Sequence, residues 1–228
     1  NIERTIKENI KISEKYPNKT NDITVNSAET LISNFYKNNI SGIGGKRSLI
    51  LGAGNIGSKI ALKLNESGSN VHLYRRNKKK LIKIIEAINV IKPDGTVAKS
   101  YICRNLKKEL KKTDIIINCS DKKRILKIDH VKLLKPNVFI IDIGKGMFEE
   151  KALESLIKKK INVFRLDVTP GYNSFIENYF ISNQIYDLKK FGRNTINGNT
   201  YISRGILGYK NEIVVDNPYN PKKIYGIA

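Results

Sequence analysis

Three glycines and two arginines carry the first chemical signal in this chain. Gly52, Gly54 and Gly57 stand in Gly-x-Gly-x-x-Gly spacing, and Arg75 and Arg76 begin 23 positions after Gly52. A glycine at the first position permits a tight turn off a strand. One at the second lets backbone N–H groups reach a pyrophosphate, and one at the third lets the following helix pack closely on the sheet. With Asn55 and Ile56 between them, these residues open a helix whose free N–H groups and macrodipole favour negative charge. A dinucleotide without a 2′-phosphate is recognised by a carboxylate about 20 residues further on, which accepts hydrogen bonds from the ribose. No acid stands there in this sequence; Arg75-Arg76-Asn77 takes the place. Planar guanidinium groups hold a phosphate through charge-assisted, often bidentate bonds, and a carboxylate would repel it. The pattern predicts NADP(H) over NAD(H), bound by Gly52, Gly54, Asn55, Ile56, Gly57, Arg75 and Arg76.

The next candidates follow other apolar runs, because an open parallel sheet binds ligands beyond the carboxyl ends of its strands. Cys119 and Ser120, after Ile115-Ile116-Ile117-Asn118, are expected to pass the cofactor's ribose and nicotinamide along their backbone. An apolar strand raises a thiol's pKa, which makes Cys119 a poor nucleophile. Asp142-Ile143-Gly144-Lys145-Gly146 follows a second run. There Lys145 could donate a proton to, or stabilise, an oxyanion at a carbonyl undergoing hydride transfer, with Asp142 beside it. The plainer alternative is a surface lysine in a turn. Asp167 either orients a substrate or caps the next helix. His72 lies inside a strand-like run and His130 in a peripheral helical one, so neither reads as a proton shuttle. Two cysteines and two histidines, without CxxC or HExxH spacing, argue against a protein-built metal site.

These groups need a scaffold, and the alternation of apolar runs with amphipathic segments supplies one. Strand-like runs recur around residues 48–51, 71–74, 98–103, 115–119, 138–142 and 162–166, separated by helix-like segments at 78–90, 106–112, 124–134 and 149–160. That rhythm predicts an α/β fold, a doubly wound, mainly parallel sheet in the order 3-2-1-4-5-6 with right-handed crossovers. Residues 1–45 read as a helical flank or linker, or as the end of a preceding domain, with helices over 1–16 and from 27 to about 39. Residues 46–172 read as the nucleotide-binding domain. Residues 173–228 read as an extension, a helix over 174–191 followed by a β-hairpin between 200–205 and 212–216.

Composition narrows the partners. At 228 residues and 40% hydrophobic content the chain is long and apolar enough for a real core. Its net charge of +21 raises a nucleic-acid reading. The lysines are scattered through every segment, as on a solvated face, so no nucleic-acid partner is expected. No apolar run approaches the roughly 18 residues that would span a bilayer, and the cysteines read as reduced, buried hydrophobes. A cytoplasmic protein without membrane partner is the expectation.

Residues 45–57 (Gly-Lys-Arg-Ser-Leu-Ile-Leu-Gly-Ala-Gly-Asn-Ile-Gly), the Arg75-Arg76-Asn77-Lys78 turn and the Asp114-Ile115-Ile116-Ile117-Asn118-Cys119-Ser120 strand resemble the NADP-binding Rossmann domain of shikimate dehydrogenases, glutamyl-tRNA reductases and methylene-tetrahydrofolate-type dehydrogenases. That group carries an Asn-Arg-Thr turn on the 2′-phosphate. Arg75 replaces its asparagine, Arg76 matches its arginine and Asn77 stands for its threonine. The resemblance covers about residues 26–146 and implies the fold and an NADP(H) cofactor, without identifying the substrate. Together with the residues above, the expected function is an NADP(H)-dependent oxidoreductase transferring hydride to or from a carbonyl, imine or similar carbon of a small substrate, an anionic one included. In shikimate dehydrogenases the catalytic lysine and aspartate lie in a preceding domain, which residues 1–45 do not match. For the enzyme, the missing machinery would lie in an upstream domain or on a partner, a homo-oligomer included. The alternative from another class is a catalytically silent NADP-binding regulatory or assembly module, which the absence of an evident proton donor fits. A third is a basic nucleic-acid-binding protein built on the same scaffold.

Overall fold

The computed structural model describes residues 2–13, 16, 18–185 and 190–228. The chain forms two compact units, residues 1–172 and 173–228.

In the first unit, α1 (Ile2–Asn9) and α2 (Thr20–Phe35) precede an alternation of β1 (Arg47–Leu51), α3 (Asn55–Glu66), β2 (Asn70–Tyr74), α4 (Lys78–Ile91), β3 (Ser100–Ile102), α5 (Leu106–Leu110), β4 (Ile115–Asn118), α6 (Ile128–Val131), β5 (Phe139–Asp142), α7 (Glu150–Lys158) and β6 (Val163–Arg165). The six strands pair in parallel in the order β3-β2-β1-β4-β5-β6. The predicted doubly wound α/β sheet is thus the observed one, and the order reverses between β1 and β4.

Strand periodicity explains the layers. Successive side chains point to opposite faces, so Ile50, Ile115, Ile117, Phe139 and Ile141 join one apolar cluster with residues of α2, α3 and α4, while Leu49, Leu51, Ile116 and Ile140 join another with α5, α6 and α7. Both faces are covered, which is why β4 is an unbroken Ile-Ile-Ile-Asn run buried throughout. Each fully buried Ile or Leu contributes about 1.5–3 kcal/mol relative to exposure.

The flank is tied to this body. Val25, Ala28 and Ile32 of α2 belong to the first cluster, and ion pairs join Asp22 to Lys59 and Glu29 to Lys63 of α3. Helix α1 covers less than the predicted 1–16, of which residues 1, 14 and 15 lie outside the described residues. Helix α2 begins seven residues before the predicted Ser27.

Two other expectations need correction. Only Ile128–Val131 of the predicted 124–134 helix is helical. Residues 124–126 instead run beside 146–148, with a parallel bridge between Leu126 and Phe148. Helix α8 (Thr169–Ile185) starts earlier than predicted; residues 186–189 lie outside the described residues.

The second unit holds β7 (Arg193–Ile196), β8 (Asn199–Ser203), β9 (Ile213–Val215) and β10 (Ile224–Ile227), paired as β10-β9-β8-β7. Here β8 and β9, the two predicted hairpin strands, pair in parallel. The hairpin joins β7 to β8. Its turn is Asn197-Gly198, both at positive φ (52° and 82°), and Asn-Gly is the pair that a two-residue turn of that geometry prefers.

Candidate functional site

Register delivers the site residues to one edge. Leu51 is level with Tyr74 of β2 and with Asn118 of β4, and Asn118 is level with Asp142 of β5. The residues that follow, Gly52, Arg75 and Cys119, therefore emerge together where the sheet order reverses. They line a cleft of about 530 Å³ with Ala53, Gly54, Arg76, Asn77, Ser120, Asp121, Lys122, Arg124 and Lys127.

The glycine corner can be checked by adding a Cβ to each residue. On Gly52, at φ +107°, it would lie 2.7 Å from the Ser120 nitrogen and 2.8 Å from the Cys119 carbonyl carbon. On Gly57 it would lie 2.0 Å from the Gly52 oxygen. Those two glycines serve close packing of helix, turn and neighbouring strand. Gly54 differs, because a Cβ there meets no protein atom within 4 Å. Gly54 is also the N-cap of α3 and provides no side-chain cap. The first N–H groups of a helix lack intrahelical partners, so an open approach to uncapped donors fits a pyrophosphate.

Asn55, Ile56 and Gly57 form the first turn of α3 behind that opening. Asn55 Oδ1 accepts a hydrogen bond from Asn21 Nδ2 (3.2 Å), and Asn55 borders a smaller hollow of about 330 Å³ with Lys19, Thr20, Asn21 and Lys59. Ile56 packs on the first apolar cluster.

The basic turn divides its labour. Arg75, half-buried, donates from Nη1 to the Ala53 carbonyl and so lies against the glycine corner. Arg76 is exposed. Asn77 Oδ1 accepts the Lys80 N–H (2.9 Å) and caps α4, which uses its acceptor within the protein while it still lines the cleft.

Across the cleft, burial pushes the Cys119 thiol up to about 12, so it stays protonated. Ser120 is internally bonded: its N–H donates to Asn118 Oδ1 (3.1 Å), and its Oγ accepts the Lys122 N–H (3.1 Å).

Neither Lys145 nor Asp142 lines this cleft. Asp142 Oδ1 accepts from Asn118 Nδ2 (2.7 Å), and Oδ2 accepts the Gly146 and Met147 N–H groups (2.7 and 3.0 Å). Its carboxylate thus holds the loop that follows β5. Lys145 is exposed at φ +62°. Asp167 accepts the Thr169 hydroxyl and N–H (2.7 and 2.9 Å), bonds that hold its carboxyl below the ordinary range; it fastens the head of α8. His72 sits between Glu109 (3.3 Å) and a stacked Tyr101, outside the cleft lining.

Sequence reasoning missed Lys122, Arg124 and Lys127. A helix assigned to 124–134 carries Arg124 and Lys127 to the periphery, although the Lys122-Lys123-Arg124 cluster shortly after β4 already lies at the ligand-binding edge. Among the described residues, no cluster of His, Cys, Asp or Glu is arranged to hold a metal ion, and no helix is long and apolar enough to cross a membrane.

Comparison with known proteins agrees with this architecture. The family described as "D-isomer specific 2-hydroxyacid dehydrogenase, NAD binding domain" matches residues 21–182. One of the subunits of dipicolinate synthase from Bacillus halodurans is 20% identical with a TM-score of 0.51, the match covering 67% of this chain and 50% of that one. Dipicolinate synthase from Bacillus subtilis is 21% identical with a TM-score of 0.51, over 82% of this chain and 62% of that one. A shikimate dehydrogenase in complex with NADP+ is 18% identical with a TM-score of 0.47, over 68% and 61%. No curated protein matches the chain. The chain spans half to about three fifths of the length of the two dipicolinate synthase chains.

Proposed function

This chain belongs to the family of D-isomer specific 2-hydroxyacid dehydrogenase NAD-binding domains, and on that premise we propose that it binds NADP(H) and serves hydride transfer to or from a carbonyl, imine or similar carbon of a small, anionic substrate. One observation carries the choice of cofactor: the cleft wall beyond β2 is Arg75-Arg76-Asn77, with no carboxylate where NAD-binding chains place one. Lys122, Arg124 and Lys127 line the same cleft, with Asp121 as the one acid among the lining residues. Such a cleft suits a ligand with three phosphates. Gly52, Gly54, Asn55, Ile56 and Gly57 hold the pyrophosphate, and Cys119 and Ser120 pass the cofactor by shape. The cofactor, when bound, supplies the hydride. The unit at 46–172 is the binding domain in this reading, with 1–45 as flank and 173–228 as extension, in a cytoplasmic protein.

The bonding of Asp142 favours a second reading. A carboxylate that accepts three internal hydrogen bonds is a weak candidate base, and Lys145 does not face the cleft, so a catalytically silent NADP-binding module is the competing account. In the enzyme reading the proton donor would instead come from a further domain or a second copy. Titration with NADPH followed by a panel of small 2-oxo acids and imino acids separates the two. Loss of nicotinamide absorbance, with a larger turnover drop for Lys145→Ala than for neighbouring lysine variants, supports the enzyme. Tight NADPH binding with no turnover on any of them supports the silent module. Failure to bind NADPH contradicts both.

A further inference from the structure

Arginine, unlike lysine, is unevenly placed in this chain. Three of its nine arginines, Arg75, Arg76 and Arg124, line the one cleft. Arg124 reaches that position in an unusual way. It is a non-glycine residue at φ +54°, in the left-handed region that side chains other than glycine rarely adopt. Such a conformation persists only where the surroundings impose it.

The surroundings do impose it. The Arg124 N–H donates to the Gly146 carbonyl (2.8 Å), the Leu126 N–H to the Met147 carbonyl (3.0 Å), and the Glu149 N–H to the Leu126 carbonyl (3.1 Å). Leu126 and Met147 are both fully buried, so this short ladder is anchored in the core. Its far side is held by the Asp142 carboxylate, which accepts the Gly146 and Met147 N–H groups, and Asp142 is itself bonded to Asn118 at the end of β4. The backbone of Arg124 is thus fixed while its side chain is exposed at the cleft. Among the described residues, no protein group bonds to its guanidinium.

We infer that Arg124 is the second phosphate-binding arginine of the cleft, alongside Arg76, and that Asp142 is a positioning residue that holds Arg124 there through the 146–148 segment. This rests on the NADP(H) reading above. It makes selection for the 2′-phosphate a property of two walls, one after β2 and one after β4. It also gives Asp142 a purpose that its hydrogen bonds permit.

The test compares NADP+ and NAD+ binding to the unmutated protein, Arg76→Ala, Arg124→Ala, Arg124→Gly and Asp142→Asn, with a thermal melt of each. Loss of a charge-assisted hydrogen bond corresponds to a fall of roughly tenfold or more in affinity. Arg124→Ala and Arg124→Gly should each lower NADP+ affinity by that much and leave NAD+ affinity within about twofold. Glycine tolerates positive φ, so Arg124→Gly should melt no lower than the parent, which separates lost binding from lost folding. Asp142→Asn should lower the NADP+ to NAD+ affinity ratio in the parent and change it little once Arg124 is already alanine. If Arg76→Ala abolishes the preference and neither Arg124 variant alters it, the inference about Arg124 fails while the NADP(H) reading stands. If the unmutated protein binds both coenzymes equally, the NADP(H) reading itself fails. An Asp142→Asn effect of equal size in the Arg124→Ala background would overturn the positioning role.

Discussion

Arg75 and Arg76 are adjacent in sequence yet differently employed. Arg75 is bonded to the Ala53 carbonyl and buttresses the glycine corner, whereas Arg76 is exposed at the cleft. Arg76→Asp should therefore cost NADP binding about 1–3 kcal/mol by removing a charge-assisted bond and leave folding nearly untouched. Arg75→Asp should weaken binding and also lower the melting temperature. Isothermal titration beside a melt of each variant distinguishes the two. A second residue prediction concerns His72. Burial holds its pKa below the usual value; Glu109 opposes that shift and Arg47 adds to it, and Tyr101 stacks on the ring. A histidine kept neutral in the folded protein charges more readily once unfolded. Its contribution is complete above about pH 6.5 and is lost as the pH falls below that toward the folded value. His72→Gln should flatten the pH dependence of the urea midpoint across that window; an unchanged slope would contradict the account.

At the scale of elements, the glycine corner yields a paired prediction. Gly57→Ala drives a methyl to within 2.0 Å of the Gly52 carbonyl, so it should destabilise by about 1–3 kcal/mol, as overpacking does. Gly54→Ala meets no protein atom and should keep stability within about 1 kcal/mol, yet impair coenzyme binding because the methyl stands where the pyrophosphate approaches. Urea melts and titrations on the two variants check the assignment; loss of folding in both would mean that Gly54 serves packing alone. The same corner shows what was readable from sequence. Unbroken Ile-Ile-Ile and Ser-Leu-Ile-Leu runs announce strands covered on both faces, and the βαβ spacing fixes where Gly52 and Arg75 meet. Residues 124–126 were illegible for a physical reason. Their apolar spacing around Ile125 and Leu126 suits a helix, but hydrogen bonds to a segment about 20 residues away override it. The bonding of Asp142 was hidden as well: its carboxylate accepts from Asn118 on the neighbouring strand and from the Gly146 and Met147 N–H groups of the loop that follows, and only the folded loop shows this. The Asn197-Gly198 turn is legible in the sequence, but the strands it joins, Arg193–Ile196 and Asn199–Ser203, are more polar than the apolar Ile213–Val215 run.

For the molecule as a whole, the excess of 21 positive charges acts at two levels. Dispersed lysines attract anions of every kind and are screened over about 8 Å at physiological salt. Clustered arginines at one sheet edge select a shape. Binding that favours the folded state stabilises it by about 2.7 kcal/mol at a hundredfold excess over Kd, so NADP+ should raise the melting temperature more than NAD+ at equal concentration, and that difference should survive added salt. The most direct measurement is calorimetric titration of the unmutated protein with NADP+ and with NAD+ at physiological ionic strength. The account predicts at least roughly tenfold tighter binding of NADP+, the size of one charge-assisted bond. Equal affinities, or a preference for NAD+, would contradict it.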